Sequence, residues 1–129
     1  MKSAIRWLKA SYIAGAVADG LTGVLILIPS RMGEAGFRYA MGLAAALMFG
    51  WTVLLLWGNI KPLERKGILL ITIFPVITGL LATGIWAAAS GFFPLEKVIP
   101  TSVLCLSLTV LLGFSYLKAR SAEKRGVQP

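Results

Sequence analysis

Residues 67–89 read GILLITIFPVITGLLATGIWAAA, and no side chain in that run carries a charge. As an α-helix rising roughly 1.5 Å per residue it would be about 34 Å long, enough to cross a hydrocarbon core of ~30 Å. A helix at the surface of a soluble domain sets an apolar stripe against a polar face. Here every face is apolar or at most hydroxylated, so lipid is the fitting solvent. Working outward, the same pattern recurs at residues 10–29, 39–58 and 98–117. Turn-forming residues separate the runs: Pro29-Ser30, Lys61-Pro62, and Ser90-Gly91 with Pro94. The connections are too short for an extramembrane domain. The sequence therefore predicts one integral membrane domain over residues 1–129, an all-α protein of four transmembrane helices in an up-down bundle. A short, basic, mobile tail over 118–129 completes it.

Composition supports that reading. The chain has 129 residues, 57% hydrophobic and 14% charged, and a soluble domain of this size has too little interior for so much apolar side chain. Lys and Arg number 13 against five acids, a formal +8. Lys2, Arg6, Lys9, Lys61, Arg65, Lys66, Lys118, Arg120, Lys124 and Arg125 fall on the side that holds both termini, and only Arg31, Arg38 and Lys97 on the other. Basic loops stay cytoplasmic, so both termini are expected inside, with the chain in the plasma (inner) membrane. Charge confined to chain ends and one loop predicts contact with anionic lipid headgroups and not with nucleic acid. Trp7 and Trp57 fall at the expected inner interface and Trp86 at the outer one, with Tyr12, Tyr39 and Tyr116 at span ends, as in an aromatic belt. Trp51 lies deeper, facing lipid or core. Lys2, Arg6 and Lys9 before an apolar run resemble the start of a signal peptide. The run is long, contains Asp19 and lacks a small-x-small cleavage site, so it is read as a retained helix.

What is missing narrows the chemistry. There is no histidine, which removes imidazole-ligated metal and haem sites and histidine-activated nucleophiles. Cys105 is the one cysteine and is read as a small buried hydrophobe. No phosphate loop or nucleophile elbow appears. The sequence predicts no metal, no cofactor and no enzymatic activity.

Asp19, the one aspartate, is the sharpest signal. It stands near the middle of the first run, where an acid costs roughly 2.5–3.5 kcal/mol on insertion scales. It must face the bundle interior, an oligomer interface or water. No cation is expected at its depth, whereas Thr78, Ser107 and Thr109 are depth-matched hydroxyls. A neutral Asp19 bonded to these would be a packing lock; an acid handling a proton, a cation or a polar ligand is the functional reading. Rows of small residues mark helix packing: Gly15, Gly20 and Gly23 in the first run, Gly42, Ala46 and Gly50 in the second, and Gly79 in the third. These exceed what one thin bundle needs, which predicts a homo-oligomer or a partner membrane protein. Pro75 lacks a backbone donor and predicts a kink at mid-span. Asp19-Gly20-Leu21 aligns with Thr78-Gly79-Leu80, a hint of two parallel repeats.

The acid midway along the first helix resembles the small multidrug resistance transporters, which carry glutamate there; their other motif residues are missing. The length is similar to fluoride channels, without their polar pore signature. A glycine-rich first helix, Pro29 at its end and Arg38-Tyr39-x-x-Gly42 opening the second resemble DoxX-like and related small four-helix bacterial membrane proteins across the whole chain. That resemblance implies the architecture and, through members associated with quinone-linked redox complexes, an accessory-subunit role. The leading expectation is a non-enzymatic interaction or accessory subunit, or a small lipophile-binding protein. The alternative is a small proton- or cation-coupled transporter using Asp19.

Overall fold

The computed structural model describes residues 1–28 and 35–126, and these form four helices. They are α1 (Lys2–Ile26), α2 (Ala35–Ile60), α3 (Gly67–Ala89) and α4 (Leu95–Gly126). Pro29-Ser30 and Arg31 lie outside the described residues. Helix α1 has already stopped at Ile26, where Leu27 N–H turns back to the Val24 carbonyl at 3.1 Å. Three helices are long and apolar enough to cross a membrane: α2 over Phe37–Ile60, α3 and α4. Helix α1 is not among them, because Lys9, Ser11, Tyr12 and Asp19 interrupt its apolar residues.

Helix α3 has the expected limits, and its end shows why. Gly91 adopts φ +72°, and beyond it Phe92 N–H reaches the Ala87 carbonyl (3.0 Å) while Gly91 N–H reaches that of Ala88 (3.1 Å). That pair of bonds closes the last turn, and it needs a left-handed residue that glycine supplies without steric cost. The expected break at Pro75 takes the form of a widened π-helical turn over Thr72–Ile77. Inside it the Thr78 hydroxyl donates to the Ile73 carbonyl at 2.8 Å.

Helix α4 corrects the reading of the tail. It runs unbroken to Gly126, so Lys118–Gly126 is helix and not a mobile strand of basic residues; only residues 127–129, Gln128 among them, lie outside the described residues. Two contacts hold the extension. Ala119 is fully buried, and Lys66 forms an ion pair with Glu123. A methyl group on Gly126 would lie 3.4 Å from the Met1 side chain, so both ends of the described chain meet at one end of the bundle. We call this end proximal and the opposite end distal.

The core is strongly graded along the bundle. Leu8, Tyr12 and Ala16 of α1, Leu55 of α2, Leu69 and Ile77 of α3, and Cys105, Leu112 and Ala119 of α4 form one buried cluster. No residue of α3 beyond Ile77 is buried, and none of α4 before Cys105. Helix α1 packs chiefly on α2 and also on α4, while the distal halves of α3 and α4 stay in contact, a methyl on Gly84 lying 3.4 Å from Val98, without a buried residue between them. The α1 row packs as expected: a methyl on Gly15 would meet Leu55 at 3.1 Å, on Gly20 Thr52 at 3.6 Å, and on Gly23 Phe49 at 3.0 Å. The α2 row does not pack within the chain. Gly42, Gly50 and likewise Gly79 of α3 have open space beside them, and Ala46 is exposed.

Polar bonds fix the proximal half. Ser11 and Ser115 share a buried hydrogen bond of 2.6 Å between α1 and α4, and Ser115 Oγ also lies 3.2 Å from the Trp7 carbonyl. Removing one hydroxyl leaves the other only a long bond to a backbone carbonyl, Leu111 for Ser11 at 3.3 Å and Trp7 for Ser115 at 3.2 Å. Ser115→Ala is therefore expected to cost about 1 kcal/mol, and adding Ser11→Ala to cost little more. Unfolding free energies of both single variants and the double variant check this, and fully additive losses would contradict it.

Candidate functional site

The buried face of α1 runs through Leu8, Ser11, Tyr12, Gly15, Ala16 and Gly23, so helical periodicity carries Asp19, four residues beyond Gly15, to the inner side. It projects into a chamber of about 80 Å³ walled by all four helices, room for about two waters. Met48 comes from α2, Thr72, Val76 and Ile77 from the widened turn of α3, and Thr101, Leu104, Cys105 and Leu108 from α4. The Asp19 Oδ2 atom is buried there with no hydrogen-bond partner. Among the described residues the only other such atom is Asn59 Oδ1, away from the chamber at the end of α2.

Two of the chamber's three threonine hydroxyls have committed their protons elsewhere. Thr22 donates to the Ala18 carbonyl at 2.7 Å, and Thr72 to that of Ile68 at 2.8 Å while accepting from Trp51 Nε1 at 3.1 Å. Trp51 thus faces the core. Toward the chamber Thr22 and Thr72 present oxygen lone pairs, and Asp19 adds more. Acceptors outnumber donors in the chamber, where Thr101 and the Cys105 thiol are the groups left to donate. The chamber suits something that brings a donor: a proton, water, a hydroxyl or an ammonium group.

The hydroxyls expected at Asp19 stand elsewhere. Thr78 and Ser107 are exposed on the outside of the bundle, and Thr109 is half-buried; none of the three lines the chamber. Each donates to its own helix at 2.8 Å, Thr78 to Ile73, Ser107 to Val103 and Thr109 to Cys105. With Thr78 outside and Asp19 inside, the two are not equivalent positions of a repeat. Thr72, Thr22 and Thr101 take the expected place. The signal that could have found Thr72 is its spacing, three residues before the helix-breaking Pro75.

The chamber opens distally. Leu80, Thr101 and Cys105 also line a groove of about 250 Å³ between α3 and α4, with Lys97 and Phe93 at its mouth. Val98 and Ser102 are shared with a second, more open groove of about 450 Å³. The larger groove is lined almost entirely by apolar side chains and has the volume of a small-ligand site, whereas the smaller sets Thr83, Thr101, Ser102 and Lys97 among its apolar walls. Among the described residues no group of histidine, cysteine, aspartate or glutamate side chains could hold a metal ion. Compared with family models, curated proteins and solved structures, the chain matches none.

Proposed function

We propose that this chain is a non-enzymatic integral membrane protein that binds a small lipophile in the cleft between α3 and α4, its polar head directed at Asp19. The observation that carries the proposal is the partnerless, buried Oδ2 of Asp19 at the closed end of an apolar cleft. Apolar walls open to the bilayer admit a lipophile laterally, and an acceptor-rich floor selects one with a hydroxyl, amine or protonated head. The resemblance to DoxX-like proteins accords with an accessory role of this kind. Mass spectrometry of organic extracts from the purified protein tests it. A lipophile should accompany the wild type and be depleted about tenfold in Asp19→Leu, a loss of the order expected for one buried polar contact. Equal retention in both would end the reading.

The same orphaned oxygen favours a second reading, a proton- or cation-coupled transporter. Its test is flux in proteoliposomes under a pH gradient. If Asp19→Asn left every pH-dependent flux unchanged, the transport reading would be finished.

Four spans with both termini cytoplasmic in the plasma (inner) membrane is part of the proposal. Its support is the bias of basic residues toward the proximal end and the burial of α1's polar side chains against α2 and α4. A homo-oligomer, or a partner membrane protein, is supported by the unpartnered Gly42, Ala46 and Gly50 row. Gly50→Leu, whose Cβ would meet nothing within 4 Å among the described residues, should then shift the protein to monomer at least threefold in detergent cross-linking while leaving its fold intact. An unchanged distribution would remove that row as an interface.

A further inference from the structure

We propose that the proximal mouth of the α1–α4 seam is a binding site for the anionic headgroup of a glycerophospholipid. Trp7 and Phe114 stand edge to face across the seam, with ring centroids 5.1 Å apart and planes at 79°. Lys118 Nζ lies 5.4 Å from the Trp7 ring and 5.5 Å from that of Phe114. Two ring faces draw the ammonium over the seam and hold it there. Trp7 also lines a concavity of about 350 Å³ with Ser3, Arg6 and Ala10. Trp7 thus joins the Lys118 ammonium to the concavity that Arg6 lines, and Ser11 bonded to Ser115 fixes the two helices one turn away.

Among the described residues no acid neutralises those cations. The proximal acids are Glu64, paired with Lys61, and Glu123, paired with Lys66. Neither Arg6 nor Lys118 makes an ion pair among the described residues. Two unpaired cations, one over the Trp7 ring and one in the concavity that Trp7 lines, fit a phosphodiester, which accepts from both. The source is a lipid because the seam continues into exposed apolar side chains, Ile13 and Val17 on α1 and Val110 and Phe114 on α4, where acyl chains would lie. A choline headgroup brings its own cation and fits poorly, whereas glycerol does not. The site is distinct from the Asp19 chamber, and neither depends on what occupies the other.

Native mass spectrometry of the full chain from micelles doped with phosphatidylglycerol or phosphatidylcholine tests the site. Neutralising any proximal lysine should weaken attraction to anionic lipid about fivefold through surface potential alone, and Lys124→Gln, at the exposed end of α4, measures that background. Arg6→Gln and Lys118→Gln should each lower bound phosphatidylglycerol about fivefold further. Trp7→Leu should lower it with no change of charge. All are exposed positions, apart from the half-buried Lys118, whose head lies at the surface of the seam, so thermal unfolding should stay near wild type. Equal losses in Lys118→Gln and Lys124→Gln, or equal occupancy by phosphatidylcholine, would overturn the proposal. So would displacement of the lipid by millimolar inorganic phosphate, which would assign the cations to a free anion.

Discussion

Gly58→Ala is expected to destabilise the protein by about 2–3 kcal/mol, a large loss for a side chain that adds one methyl group. Gly58 lies near the end of α2, and an added Cβ would stand 2.6 Å from Tyr12 Cε1 and 3.2 Å from Ile68 Cδ1. The ring cannot move aside. Tyr12 is fully buried, and its hydroxyl donates to the Arg65 carbonyl at 2.8 Å. Arg65 is itself fixed, its guanidinium 3.4 Å above the Trp57 ring and hydrogen-bonded to the Trp57 carbonyl. The glycine therefore lets α1 reach the loop that joins α2 to α3, and a methyl would push the three apart. Reversible unfolding in detergent measures the loss. Gly42→Ala and Gly50→Ala provide the contrast, since both positions are open and should be neutral or slightly stabilised by better helix propensity. A loss at Gly58 no larger than at Gly50 would contradict the packing described. In a Tyr12→Leu background the Gly58→Ala loss should fall by more than half, because the atoms that clash are gone.

This contact illustrates what the amino-acid sequence conceals. Helix α3 could be bounded at both ends because its signals are local: a charge-free run, then Ser90-Gly91. Asp19 could be singled out because an acid in lipid is costly wherever it points. Which neighbour each face meets is a different matter. In a soluble helix the apolar stripe marks the inner face, but a helix such as α2 is apolar all round, so nothing in its pattern separates lipid from protein. Glycine rows in α1 and α2 therefore read alike, although an added Cβ would meet α2 at Gly15 and Gly23 and would meet no described residue at Gly42 and Gly50. Depth alone matched Thr78 and Ser107 to Asp19. The widened turn at Pro75 adds a residue to one turn of α3 and changes the faces that follow it, which depth cannot register. The tail misled for another reason. Its basic composition read as solvated and mobile, yet Ala119 and Glu123, four residues apart, share a face that packs on the proximal loop.

Asp19→Leu should raise the stability of the ligand-free protein by about 1–3 kcal/mol while weakening lipophile binding about tenfold. Leaving a buried polar oxygen without a partner costs roughly that amount. Leucine removes the cost, and the chamber of about 80 Å³ has space for its additional methyl groups. Cys105, Val76 and Leu108 provide apolar contacts for it. A fold that retains an acid at the expense of its own stability retains it for something it does. Asp19→Asn separates the two properties, since it keeps the shape and exchanges an acceptor for a donor. It should leave stability near wild type and weaken binding only of ligands that need a carboxyl group. Equilibrium unfolding of both variants, before and after delipidation, gives the sign directly. If Asp19 were instead a packing lock, Asp19→Leu would be the more damaging change, because it would break a bond the helices depend on. The two roles thus predict opposite signs for one substitution. The partnerless Oδ2 favours the stabilising one: a lock requires a partner within hydrogen-bond reach, Oδ2 has none, and Thr22 and Thr72 have turned their hydroxyls to their own backbones.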